Sequence, residues 1–287
     1  METNFLMSTI LRVGSLMKVG FGSAGVEIIR NNLERGRHRD VLLLNKQGGS
    51  VSCIFLFCDI RQFTDATECL QEDVFVFTNK IAAVVHSICH SYGGSANKNI
   101  GDAFLVSWLL DDAPIDEDEV ADHHYTSHTH KKPPYVAYHN QADKALLSVV
   151  KISMALHHDK YFTDAINESA KYRLLSKLSS RKGPLVQMGF GLHAGTAVQG
   201  AIGSQRKLDA TYISESVEQA EFLESSTKKY GVPILMSDSF YELLDSSNKY
   251  RCRKVDQLLL LTGQDGNSYD PNEILDAKKM VLVSSLV

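Results

Sequence analysis

Ser52-Cys53-Ile54-Phe55-Leu56-Phe57-Cys58-Asp59-Ile60 decides the fold class. The run is nearly all apolar, with β-branched and aromatic members, which predicts a strand buried on both faces. It ends abruptly at Asp59, and a charge at the end of a buried strand invites a functional reading. Downstream, Val74, Phe77, Ile81, Val84, Val85 and Ile88 recur at helical spacing until Gly93-Gly94 ends the pattern. That periodicity predicts an amphipathic helix from Asp73 to Tyr92. Ser95 to Ile100 and Ala103 to Leu109 then read as two short strands joined at Gly101-Asp102, a tight hairpin. A second aspartate is thereby placed at a turn.

Outward from this centre, Ala142 to Leu156 returns to helical periodicity, and Ser214 to Tyr230 reads as a helix. Leu185 to Leu192 and Thr196 to Ile202 read as two strands broken by glycine, with Gly189, Gly191 and Gly195 permitting bends. Pro233 to Met236, Ser239 to Leu244 and Arg253 to Leu261 repeat strand, helix, strand. Irregular alternation around hairpins predicts an α+β fold, with helices packed on a mixed, mainly antiparallel sheet, over a doubly wound parallel one. Residues 1–49 form a lead-in, with a helix near Val26 to Leu33 and a basic stretch from Arg35 to Gly49. Residues 50–262 are the main domain. Within it, 111–140 carries an acidic run, Asp116 to Glu119, and His123, His124, His128 and His130, which read as a surface insertion rather than a zinc site. Residues 263–287 are a C-terminal extension.

With 30 basic and 34 acidic side chains mixed along 287 residues and a net charge of -4, the chain has no general attraction for nucleic acid or an anionic membrane. Any phosphorylated ligand must be held locally. Five cysteines without CxxC spacing argue for a reducing, cytoplasmic setting, and Cys58 reads as core packing. No apolar run approaches the roughly 18 to 20 residues needed to span a bilayer. Met1 to Lys18 lacks a clear cleavage site and reads as a linker from a longer protein, for which the cytoplasmic part of a membrane protein is one setting.

Two carboxylates delivered from a strand end and a hairpin turn can share a pair of magnesium ions, hard cations that want oxygen ligands, as phosphoryl transfer requires. By type and spacing alone, Asp59 and Asp102 also read as a capped strand end and an ordinary turn residue. The surrounding words separate the two readings. Phe57-Cys58-Asp59-Ile60-Arg61-Gln62-Phe63-Thr64 and Asn97-Lys98-Asn99-Ile100-Gly101-Asp102-Ala103 closely resemble the two metal motifs of class III nucleotidyl cyclases. The resemblance extends through Gly189-Phe190-Gly191-Leu192-His193-Ala194-Gly195 and Asp209-Ala210-Thr211-Tyr212-Ile213 to Leu223-Glu224, in the family's order.

The resemblance implies a ferredoxin-like core that dimerises head to tail, with sites built from both partners. It implies that Asp59, the Ile60 carbonyl and Asp102 hold two Mg2+ ions, for which Mn2+ can substitute. It also implies that backbone amides around Phe63 and Thr64 hold phosphate at a helix N-terminus, that Gly101 joins the substrate-binding set and that Arg206 contacts phosphate. Lys98 and Thr211 occupy the base-reading positions and suit adenine, which implies ATP and cyclic AMP; guanylyl enzymes place a glutamate at the lysine position.

Three positions depart from the family pattern. Glu218 and Phe222 stand where complete sites carry an asparagine and an arginine, and Gln264 stands near an expected phosphate-binding lysine. At i and i+4, Glu218 and Phe222 share a helix face. All groups of the metal-donating side are retained and three of the opposite side are lost, which resembles the metal-bearing half of two-part cyclases. A heterodimer with a complementary cyclase domain is expected, since a homodimer would have two defective sites. Lys98 and Thr211 would then be idle or line a degenerate second pocket. A non-catalytic regulatory homologue is the alternative, and a guanylyl cyclase a weaker one.

Overall fold

The computed structural model describes residues 5–16, 19–20, 22, 48–110, 140–178, 183–204, 207–259 and 277–283. The predicted helix near Val26 to Leu33, the His-rich insertion, Arg206 and Gln264 lie outside them. Residues 5–16 form helix α1, whose apolar side chains are exposed.

The central strand is β1 (Gly49–Ile60). It lies between β3 (Ala103–Leu109) and β4 (Met188–Ser204), antiparallel to both. Its alternate side chains face opposite ways. Ile54, Leu56 and Cys58 enter a large core with α2 (Phe63–Leu70), α3 (Val74–Ser91), α4 (Gln141–Ala155), α5 (Asp159–Thr163) and α6 (Glu168–Leu178). Cys53, Phe55 and Phe57 enter a smaller cluster that includes Ala220 of α7 (Glu215–Tyr230). This two-sided cover is why the strand carries no polar face.

Eight strands form one sheet in the order β2-β3-β1-β4-β6-β8-β7, with β5 paired to β4 off this path. The remaining strands are β2 (Ser95–Ile100), β5 (Lys207–Ile213), β6 (Ile234–Ser237), β7 (Cys252–Leu259) and β8 (Ala277–Val283). The β4–β6 pair alone is parallel, so the sheet is mixed and mainly antiparallel. Two short helices, α8 (Asp238–Glu242) and α9 (Ser246–Lys249), join β6 to β7. Strand β8 comes from the stretch assigned above to an extension, yet it sits between β6 and β7. No helix among the described residues is long and apolar enough to cross a membrane.

One strand expectation is corrected. The two strands expected at Leu185 to Leu192 and Thr196 to Ile202 are one strand, Met188–Ser204, paired with β1 without a break from Met188 to Gln199. Its glycines make room for a helix. A Cβ on Gly191 would lie 2.1 Å from the Ala220 carbonyl oxygen and 2.5 Å from the Glu224 amide nitrogen, so glycine admits α7 against the sheet. Helices α5 and α6, which the sequence expectations do not include, close the large core with Phe162, Ala170 and Leu174.

The helix ends follow local chemistry. Asn140 caps α4 by accepting from the Asp143 amide at 2.8 Å, and Ser214 caps α7 by accepting from the Ser216 amide at 2.9 Å. Left-handed Gly231 ends α7.

Candidate active site

Register alone brings the two aspartates together. Asp59 pairs across β1 and β3 with Ala103, which follows Asp102 in the chain, and the Ile60 amide donates to the Asp102 carbonyl at 3.3 Å. Gly101, at φ +65°, makes the β2–β3 turn that presents Asp102. The Asp59 carboxyl is within hydrogen-bonding reach of that of Asp102 and has a side chain only 19% exposed. Burial pushes its pKa up to about 6, with the Asp102 and Glu224 carboxylates adding to the rise and Lys228 opposing it. The Lys228 ammonium stands 3.7 Å from Asp59 Oδ2.

Beside this pair runs a polar link between β1 and α7. Arg61 Nη1 lies 2.7 Å from the buried Glu224 Oε1, and Arg61 also donates to Thr227. Burial raises the Glu224 pKa; Arg61 is the largest influence holding it down, and Asp102 adds to the rise. Asp59, Asp102 and Glu224 thus put three carboxyl groups around one corner of the sheet, answered by Arg61 and Lys228. In the sequence Glu224 stands out only as part of a motif, and Arg61 and Lys228 carry no sign of a role. Arg61 and Glu224 are 163 positions apart, and no local pattern connects them.

After Arg61 the chain turns through Gln62, whose left-handed φ of 56° is uncommon for a residue with a Cβ. Phe63 and Thr64 follow as the first residues of α2, so their amides belong to its N-terminal turn. Asp65 shares that turn and lies 3.4 Å from Lys177 Nζ.

The base-reading candidates lie on β2 and β5. Lys98 Nζ is 2.7 Å from Asp209 Oδ2, and Asp209 and Thr211, two apart on one strand, share a face. Asp209 therefore ties Lys98 to the strand that carries Thr211. Glu218 and Phe222 are both exposed on α7, with Phe222 40% exposed. The structure thus brings Asp59, Ile60, Gly101 and Asp102 together, sets Phe63 and Thr64 just beyond β1 and ties Lys98 to the strand of Thr211 through Asp209.

Among the described residues, no group of three or more His, Cys, Asp or Glu side chains is arranged as a metal cage. A carboxylate pair with a neighbouring backbone carbonyl is nonetheless a hard-oxygen donor set. Mg2+ suits such a set, since it is usually bound by one or two carboxylates together with substrate phosphates. The crowding that raises the Asp59 pKa is what a divalent cation would relieve.

The sequence model described as the adenylate and guanylate cyclase catalytic domain matches residues 45–269. A second, described as the RasGEFs all helical domain, matches residues 1–34. An adenylate cyclase of Anabaena cylindrica is 28% identical over 211 residues, covering 73% of this chain and 34% of the relative. Adenylate cyclase 1 of Rhizobium meliloti is 23% identical over 197 residues, covering 68% of this chain and 24% of the relative. The chain spans about a third or less of the curated relatives it matches. Among solved structures, a bacterial light-regulated adenylyl cyclase superposes with a TM-score of 0.64 at 17% identity, over 99% of this chain and 63% of that one. The adenylyl cyclase CyaB from P. aeruginosa does so with 0.53 at 18% identity, over 83% and 96%. At these identities the structures bear on the fold.

Proposed function

Because the chain belongs to the adenylate and guanylate cyclase catalytic domain family, we propose that it is the metal-bearing part of an adenylyl cyclase. In this reading it converts ATP to cyclic AMP and pyrophosphate at an interface with a complementary cyclase domain. The observation that carries the reading is the convergence of Asp59 and Asp102 at one end of β1.

Cyclisation requires a ribose hydroxyl to attack the α-phosphorus while pyrophosphate leaves. Asp59, Asp102 and the Ile60 carbonyl would hold two Mg2+ ions, which supply a lowered hydroxyl pKa and neutralise charge on the phosphate oxygens. The chain's own groups do the rest. The link from Arg61 to Glu224 and Thr227 fixes the end of β1 against α7, so Asp59 is held in place before substrate arrives. The N-terminal amides of α2 at Phe63 and Thr64 offer donors to phosphate, and Arg206 would add a cation. Lys98, oriented by Asp209, would donate to a purine ring nitrogen, and the Thr211 hydroxyl would accept from the exocyclic amine. That pairing favours adenine over guanine.

Glu218 and Phe222 favour a partner. A carboxylate repels a triphosphate, and a phenyl ring cannot replace a guanidinium whose loss costs roughly 10³ to 10⁵ in rate in the arginine-finger case. Cyclic AMP formation with Mg2+ or Mn2+ should be negligible for the chain alone and appear with a partner domain that carries the asparagine and arginine. Asp59→Ala should abolish it. No product in either condition would overturn the reading.

The same two residues support a second reading, a regulatory homologue without turnover. The triple variant Glu218→Asn, Phe222→Arg and Gln264→Lys separates the two. Turnover gained by a homodimer of this variant means that the metal half is intact, whereas silence at all metal concentrations favours the regulatory role.

A further inference from the structure

A cavity of about 700 Å³ lies behind the end of β1, between the C-terminal ends of α4 and α7 and the start of β4. None of Asp59, Asp102, Phe63, Thr64, Lys98 or Thr211 lines it. Among the described residues that do, the ionisable side chains are Arg61, His157 and Lys228, all basic, with no carboxylate, although the chain as a whole is acidic. One wall is apolar, with the partly exposed Pro184, Val232 and Pro233. The volume falls within the roughly 300 to 1,000 Å³ typical of small-molecule sites.

The three bases are not equivalent. Arg61 is engaged by Glu224 and Thr227. His157 is exposed, and one ring nitrogen lies 3.0 Å from the Ser153 carbonyl. Lys228 is 59% exposed, and its 3.7 Å approach to Asp59 is longer than a charge-assisted hydrogen bond. Lys228 can therefore turn toward an anion in the cavity without leaving a buried ion pair broken. An inorganic anion alone would leave the apolar wall uncovered, and a neutral hydrocarbon would leave the basic rim unanswered.

We propose that this cavity is a second ligand site, for a small organic acid held by its carboxylate at Lys228 and His157 with its hydrocarbon body against Pro184, Val232 and Pro233. Lys228 is shared with Asp59, so the occupant competes with Asp59 for the ammonium, and the site communicates with the corner where the aspartates meet. The site's existence does not depend on turnover, so its failure and that of the cyclase reading are separable.

Calorimetric titration of the full 287-residue chain, with chelator present, tests it. Octanoate should bind once per chain, at least about 10-fold more tightly than octanol, and inorganic phosphate should give no comparable heat. Lys228→Gln, at an exposed position, should weaken octanoate about 10-fold with unchanged circular dichroism. Ser153→Trp, which fills the cavity, should remove binding. Octanol or phosphate binding as tightly as octanoate would overturn the proposal, as would undiminished octanoate affinity in Lys228→Gln.

Discussion

Asp59 is held near neutrality by its neighbours, and that gives it a measurable signature. Its folded pKa of about 6 lies above the ordinary value of 3.8, so the folded chain binds the extra proton between those limits. The associated stability is complete below about pH 4 and is lost as pH rises through 6. A displacement of that size corresponds to ~3 kcal/mol. Asp59→Asn, which cannot ionise, should therefore melt several degrees higher than the wild type at pH 7 in chelator, with the difference vanishing near pH 4. Equal melting temperatures at pH 7 would contradict the crowding of the carboxylates. At the same scale, Glu224→Ala strands the Arg61 guanidinium, and breaking one side of such a pair costs about 3–5 kcal/mol. Urea denaturation should record that loss, and the double variant with Arg61→Met should recover part of it.

At the scale of elements, the fit of α7 against β4 rests on missing side chains. Gly191→Val would drive its Cβ into the Ala220 carbonyl and the Glu224 amide. It should destabilise the chain by more than the 1–3 kcal/mol usual for overpacking, because backbone and not a side-chain tip must yield. Urea denaturation of this variant checks it. This is also where the sequence was least explicit. The apolar run of β1, the spacing of α3 and the β2–β3 hairpin were legible because both-face burial, helical period and turn chemistry are local signals. In the sequence the glycines of β4 do not reveal the close approach of α7, because a backbone left open for a helix and one left free to kink look alike in one dimension. Helix α6 was missed because few of its side chains, Ala170 and Leu174 among them, are buried. The meeting of Asp59 and Asp102 could be expected from motif order, but the Arg61–Glu224 link and the Lys98–Asp209 pair exist only through tertiary register.

For the whole molecule, the proposed function makes completeness a property of two domains, because Glu218 and Phe222 stand exposed on α7. Activity from mixed chains should therefore rise with partner concentration and saturate at one partner per chain, as measured by cyclic AMP formation. The fold also sets a limit on shortening the chain. Strand β7 pairs with β8 and has no other neighbour in the strand order, and β8 also covers the outer edge of β6. A chain cut after Leu259 should expose β6, leave β7 unanchored and elute as aggregate on size exclusion, whereas one cut after Val283 should stay dispersed.

The place of β8 also imposes an order on birth. Strand β8 is synthesised after both strands it separates, so this part of the sheet cannot close while the ribosome is still translating the segment beyond β7. Until then the nascent chain offers β6 as an open edge to any other extended segment nearby. The long-range pairing that seats β8 is thus the slow, exposed step of folding.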